Sequence, residues 1–206
     1  ARIRELWSGV SGAPVDLGPA AGAVPDFDAS FAKALARGPS VLGCYLAPSD
    51  APSRARPPAG DGYRGRFFER NKVDRGMLPQ AAAIVQSIPV LATSATATAF
   101  FNTTCDFDQI VRRTPLVWAW GRDRVYPSLA LEAVRLHLGL PNFGMFYDEA
   151  TGTRLQGLQL RDLRVPVDGN GRLLLNFRTK SFPRLSAADV LRGAFDRAAV
   201  SNRILF

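Results

Sequence analysis

The chain has 206 residues, 47% of them hydrophobic and 21% charged, a balance that excludes global disorder and a length that can bury a core without metal or disulfide staples. Its 26 Lys and Arg against 18 Asp and Glu give a net charge of +8 and a pI near 10.3, but the arginines are scattered from Arg2 to Arg203 rather than gathered on one stripe, which argues against a nucleic-acid interface. No window approaches the roughly 18 continuous apolar residues of a membrane span, and no signal-peptide pattern opens the chain.

Residues 1–25 are rich in Gly, Ala and Pro. Leu6 and Trp7 suit a short helix there, and the stretch from Ser8 onward reads as loop. A helix follows, capped by Asp26 or Asp28, with Phe27, Phe31 and Leu35 at helical spacing and Gly38-Pro39 ending it. The apolar run 41–46 reads as a buried strand. Residues 47–62 carry Pro48, Pro52, Pro57 and Pro58 and form a loop. The densest basic patch, 54–75, is interrupted by Asp61, Glu69 and Asp74 and reads as exposed; residues 65–80 stay irregular around Phe67-Phe68. Residues 81–88 suggest a short helix stopped by Pro89. The Ala/Thr alternation of 93–98 leads into an extended Phe100-Phe101.

Residues 110–120 predict one long strand, with Pro115 marking an edge position or a bulge, and residues 121–124 turn the chain. Pro127 opens a helix whose apolar stripe is Leu131, Val134 and Leu138, and Gly139 closes it. Glu132 and Arg135 are spaced to pair on its outer face. Residues 163–167 and 172–177 flank Asp168-Gly169-Asn170-Gly171, the pattern of a hairpin. Ser186 with Asp189 resembles a capping box for a helix reaching about Arg192, and residues 202–206 begin another apolar strand. There is no internal repeat. Alternating helices and strands predict an α/β class: a mixed β-sheet packed with helices in a single domain.

Catalysis would need a nucleophile, a base or a metal cluster. The only histidine, His137, has no serine or cysteine motif beside it and reads as structural. There is no G-x-S-x-G and no P-loop. Cys44 and Cys105 lack metal spacing; one bridge would need an oxidising compartment, and two semi-buried thiols are the simpler reading. The turn at Asp168 imitates a calcium loop, but Leu173 stands where Gly is needed and Thr179 where Glu is needed. No cofactor, metal ligand set or catalytic residue is read. Asp106 and Asp108, two apart beside Asn102 and ahead of Arg112-Arg113, are the one paired-carboxylate constellation. Such a pair holds a cation or works as acid and base; alternatively it caps a turn and pairs with the arginines, which is preferred.

The segment Phe100-Phe101-Asn102, then Asp106-Phe107-Asp108-Gln109-Ile110-Val111-Arg112-Arg113-Thr114-Pro115-Leu116, resembles the central signature of the CHASE2 family. Three further segments resemble its later signatures in order: Tyr126-Pro127-Ser128-Leu129-Ala130-Leu131-Glu132, Asp168-Gly169-Asn170-Gly171 through Arg178, and Phe182-Pro183-Arg184 through Leu191. The tail from Asn202 is similar to the family's closing strand. The match is strongest over 99–206. Gln109 stands where the family usually has Gly, a departure that matters if the turn is left-handed there.

The resemblance implies a sensory input domain on the periplasmic, extracytoplasmic side of a bacterial membrane. It would be coupled through the protein's own membrane helices to a cytoplasmic output such as a nucleotide cyclase or a kinase. Starting at Ala1 and ending on an apolar run, residues 1–206 read as one such domain excised from a longer chain, without the family's opening strand and following membrane spans. The implied partner is a small ligand, an ion or a protein, with a homodimer as a further expectation; no catalytic residue is carried over. The expected ligand-binding residues are Asn102, Asp106, Asp108, Arg112, Arg113, Tyr126 and Arg178, where polar groups concentrate between strand and loop. The alternatives are a protein–protein interaction module without a small ligand and, less well supported, a hydrolase.

Overall fold

The computed structural model describes residues 25–48, 66–69, 77–120, 124–179 and 181–205. In chain order the elements are α1 (Phe27–Leu35), β1 (Val41–Pro48), β2 (Arg66–Glu69), β3 (Gln80–Val85), α2 (Pro89–Ser94) and β4 (Ala97–Phe100). After them come β5 (Arg113–Pro115), β6 (Val117–Trp120), β7 (Arg124–Pro127) and α3 (Leu129–His137). The chain continues through β8 (Asn142–Tyr147), β9 (Leu155–Leu160), β10 (Leu163–Pro166), β11 (Arg172–Leu174) and α4 (Ala187–Arg192).

A five-stranded sheet runs in the order β4-β1-β3-β6-β7. It is mixed: β1 is parallel to β4 and antiparallel to β3, β3 is parallel to β6, and β6 is antiparallel to β7. A four-stranded sheet runs β10-β9-β8-β2, and β5 pairs with β11 in a small ladder of its own. The α/β expectation is met, with the β-structure divided among three sheets.

Strand alternation sets the two faces of the five-stranded sheet. Val117, Ala119 and Val125 point to one face, where they bury against Leu131 of α3 and against Phe143, Met145, Leu155, Leu158 and Leu160 of the four-stranded sheet. Trp118 and Tyr126 point to the other, where they bury with Cys44, Leu46, Ile84 and Phe100. Phe100 and Trp118 meet edge to face there, ring centroids 5.6 Å apart.

Helix α1 forms as expected. Asp26 caps it, its carboxylate accepting from the Ala29 N–H at 2.9 Å. Its aromatic stripe is not the buried face: Phe27 and Phe31 are exposed, and Ala32 is the buried residue.

Several elements depart from the sequence-based expectation. Residues 81–88 do not form a helix; Gln80–Val85 is β3, held between β1 and β6. Helix propensity of an alanine run is a fraction of a kcal/mol per residue, and central-strand pairing overrides it. Pro89 begins α2 instead of ending a helix, because a missing N–H costs nothing at a first position. Thr93 and Ser94 belong to that helix, so the extended segment starts only at Ala97. The irregular stretch 65–80 contains a strand, β2, parallel to β8.

The predicted strand 110–120 breaks at Leu116. Its N–H donates to the Gly171 carbonyl at 2.9 Å and its carbonyl accepts from the Ser128 N–H at 2.8 Å, so the two halves serve different sheets. Pro115 sits in the two-stranded ladder, where each strand has a free edge. Pro127 ends β7 rather than opening a helix; Ser128 is the N-cap of α3, its hydroxyl accepting from Leu131 N–H at 3.3 Å. The Asp168 turn exists, but its flanking strands part, β10 to β9 and β11 to β5, so no hairpin forms. Ser186 occupies the N-cap of α4 without a side-chain hydrogen bond. Residues 203–205 form no strand, since no neighbouring strand pairs with them among the described residues. The readings of 1–24, of the loop from 49 to 62, of most of the basic patch and of the 121–123 turn lie outside the described residues.

Candidate functional site

The polar segment after β4 divides into two devices. The first is Asn102, which is buried. The β1–β4 ladder ends at Cys44 and Phe100, and the Phe101 N–H adds one more bond to the Cys44 carbonyl at 3.1 Å. Beyond that point β4 has left β1. The Asn102 amide takes its place: Oδ1 accepts from Leu46 N–H at 2.9 Å and Nδ2 donates to Leu46 O at 2.7 Å. A primary amide carries the same donor and acceptor as a peptide group, so one side chain satisfies both backbone groups of a buried strand residue.

The second device is a clamped turn. Asp106 N–H donates to Ile110 O at 2.9 Å, and Gln109 N–H donates to Asp106 O at 3.0 Å. Gln109 lies at φ 65°, the left-handed conformation that disfavours a side chain, at the position where the sequence departs from Gly. Arg112 grips Asp108 with two contacts, Nη2–Oδ2 at 2.8 Å and Nη1–Oδ1 at 2.9 Å. Arg113 Nη1 meets Asp106 Oδ1 at 3.0 Å, and Arg112 Nη1 reaches Asp106 Oδ2 at 3.4 Å. The Arg112 hydrogen bond holds the Asp108 carboxyl below the ordinary carboxylate range, and Asp108 in turn raises the Arg112 guanidinium.

In this arrangement the carboxylates are engaged by the arginines. Two acids and two bases sum to zero charge, and the carboxylate oxygens are turned to guanidinium groups or to the Ile110 N–H. A cation site or an acid–base pair needs free carboxylate lone pairs. The ion pairs hold the turn in shape, and it carries one conspicuous apolar group: Phe107 at its tip is 98% exposed.

The remaining expected residues go elsewhere. Tyr126 is fully buried on β7, paired in register with Trp118, and cannot meet solvent as placed. Arg178 is exposed in the segment after β11. That segment adjoins the clamped turn, because the Leu175 N–H donates to the Arg112 carbonyl at 2.8 Å. Asp106, Asp108, Arg112 and Arg113 are thus brought together, Arg178 lies four residues past the end of β11, which pairs with Arg113, and Asn102 and Tyr126 face inward.

A cavity of about 630 Å³ opens beside Arg178, lined by Asn176, Phe177, Arg178, Ser181, Phe182 and Arg184. Five of these six were not expected from the sequence as site residues. The available signal was the recurrence of aromatic and arginine together, Phe177-Arg178 and Phe182-Pro183-Arg184, in a stretch without helical or strand period.

The calcium-like turn at Asp168 spends its carboxylate on its own chain: Oδ1 accepts from Asn170 and Arg172 N–H at 3.1 and 2.9 Å, and Oδ2 pairs with Arg172 Nε at 2.9 Å. Gly171 follows at φ 73°, where a Cβ would lie 2.6 Å from Val117 Cγ2. His137 is exposed at the end of α3. Both cysteines are free, Cys44 buried and Cys105 exposed, and burial pushes the Cys44 thiol up to about 12.

The family model for the CHASE2 domain matches residues 10–206. The chain belongs to the CHASE2 family. CHASE2 domains are extracytoplasmic sensory domains, so sensing outside the cytoplasm is the role of this chain's family. Comparison with curated proteins found no match, and comparison with solved structures found none. The left-handed residue 109 and the glycine-dependent turn at 168–171 lie within the segments that carry the CHASE2 resemblance, which ties those signatures to backbone geometry. Among the described residues of this CHASE2 domain no helix is long and apolar enough to cross a membrane.

Proposed function

We propose that this CHASE2 domain receives a stimulus outside the cytoplasm and passes it through flanking membrane helices to a cytoplasmic cyclase or kinase. The family match over 10–206 carries this reading. A stimulus acts by binding one of two domain states more tightly than the other, and the difference in affinity is all that can be transmitted.

The surface formed by the clamped turn and the segment after β11 is the proposed receiving face, with Asp106, Asp108, Arg112, Arg113 and Arg178 on it. Asn102 anchors the chain leading into that face to β1 of the five-stranded sheet. The joint at Leu175 and Arg112 supports this choice, since movement of one segment is felt by the other. The test uses the full-length protein in membranes: output activity is measured with the intact domain and with Arg112→Gln/Arg178→Gln. Altered output on an otherwise folded domain supports the reading. Output indifferent to both substitutions and to deletion of the domain would overturn it.

One observation favours a second reading, an interaction module for a protein partner: Phe107 stands almost wholly exposed on a turn that ion pairs hold in shape. Phe107→Ser separates the two. Lost partner capture with retained small-molecule response in thermal-shift assays supports the interaction module alone.

A further inference from the structure

The cavity after β11 differs in chemistry from every other arginine site described above. Arg112, Arg113, Arg135 and Arg172 each meet a carboxylate. Arg178 and Arg184 line one cavity together, and among the described residues no carboxylate lines it with them. Two guanidinium groups sharing a cavity repel one another unless an anion sits between them. Guanidinium forks suit planar, bidentate oxygens such as carboxylate or phosphate. Asn176 and Ser181 add neutral hydrogen-bonding groups on the same wall.

The apolar half of the lining points to the rest of the ligand. Phe177 and Phe182 are 73% and 82% exposed, although each carries a large apolar ring. Exposed rings in a concave setting mark a surface that a partner covers. Ring faces stack on flat apolar groups, and arginine stacks on the same groups from the side. The volume of about 630 Å³ falls within the range of roughly 300–1,000 Å³ typical of small-molecule sites. The segment has the usual build of a binding loop on a scaffold: it is pinned at one end by the Leu175–Arg112 hydrogen bond and ends at the other in α4.

We infer that the cavity bounded by Phe177, Arg178, Phe182 and Arg184 binds a small soluble anion with an aromatic or flat apolar body. The inference deepens the sensory reading and rests on it for its meaning in the cell, but binding is measured on the 206-residue chain alone.

Isothermal titration calorimetry with phenyl phosphate is the test, alongside inorganic phosphate and neutral phenol. Phenyl phosphate is expected to bind in the millimolar range or tighter, with phosphate weaker and phenol weakest. Arg178→Gln and Arg184→Gln each lower the affinity at least about tenfold, the loss expected for a charge-assisted hydrogen bond. Phe182→Ala lowers the affinity for phenyl phosphate and leaves that for phosphate in place. The melting temperature stays the same, because these side chains lie outside both buried clusters. Absence of heat with phenyl phosphate, an affinity indifferent to both arginine substitutions, or equal affinity for phosphate and phenyl phosphate overturns the inference. So does arginine-dependent sedimentation with phosphatidylglycerol vesicles without phenyl phosphate binding, which would assign the site to a membrane surface. A membrane-bound output that still responds while calorimetry fails would sink this site and leave the sensory reading standing.

Discussion

Glu132 and Arg135, one turn apart on α3, pair inside the protein: Arg135 Nε donates to Glu132 Oε2 at 2.9 Å, and both side chains are under a tenth exposed. Arg135 also donates from Nη1 to the Leu140 carbonyl. The pair thereby ties the end of α3 to the chain that enters β8. Spacing alone makes such a pair look like surface decoration, and here it is an interior one.

Breaking this pair from one side should cost much more than removing it whole. Glu132→Ala leaves a buried guanidinium uncompensated, and the expected loss is about 3–5 kcal/mol. Replacing both residues with Met should recover most of that loss, because two desolvation costs vanish with the attraction. Urea denaturation of Glu132→Met, Arg135→Met and the double Met variant measures the coupling. Additive effects would contradict an interior pair.

Asn102→Ala removes a donor and an acceptor from a buried strand residue. The Leu46 N–H and carbonyl are then left without the bonds at 2.9 and 2.7 Å. A loss of about 2–6 kcal/mol is expected, from about 1–3 kcal/mol for each of the two unsatisfied buried groups. Hydrogen exchange at the Leu46 amide should accelerate along with it, and an unchanged exchange rate would argue against the bond.

Gln109→Gly should stabilise the domain by about 0.5–1 kcal/mol. Relief of left-handed strain in a side-chain-bearing residue, about 1–2 kcal/mol, exceeds the cost of glycine's added unfolded-state freedom, about 0.5–1 kcal/mol. Gln109→Val should destabilise, since branching worsens the same clash. Paired denaturation curves check both signs.

The clamped turn should respond to acid later than an ordinary carboxylate. Arg112 lowers the folded-state pKa of Asp108 below its ordinary 3.8. A depressed carboxyl contributes stability that is present above the unfolded value and lost as pH falls through the folded one. The Ile110 amide, which donates to Asp108 Oδ1 at 3.2 Å, is the reporter. Its NMR titration step should lie below pH 3.8, and Arg112→Gln should move the step upward.

The two thiols should differ in reactivity. Cys105 is exposed and should label with a maleimide in the native protein, whereas Cys44 is buried with a thiol near 12 and should label only on unfolding. Because the folded thiol is raised from 9.0, its contribution to stability is full below that value and is lost as pH rises toward 12. Mass spectrometry after labelling at neutral pH should show one adduct on the native chain and two on the unfolded chain.

Some of this was readable along the chain because the cause is local. The Asp26 cap, the glycine turn at 168–171 and the unusual residue at 109 depend on bonds within a few residues, and residue type reveals them. The same holds for Arg112 with Asp108, whose spacing places a guanidinium in reach of a carboxylate. The site residues were harder. Asn102 and Tyr126 carry polar groups that suggest a surface, yet Asn102 is drawn inward by a strand 56 residues away and Tyr126 by the second face of the sheet.

By itself the sequence determined the family, the α/β class and the short-range turns and caps, since each rests on a pattern of neighbouring residues. Tertiary structure alone decided that the alanine run 81–85 is a strand, that the 110–120 run serves two sheets, and that Glu132 and Arg135 lie inside. Those outcomes follow from pairing and burial against residues distant in the chain, whose free energies exceed local propensity and leave no mark in local spacing.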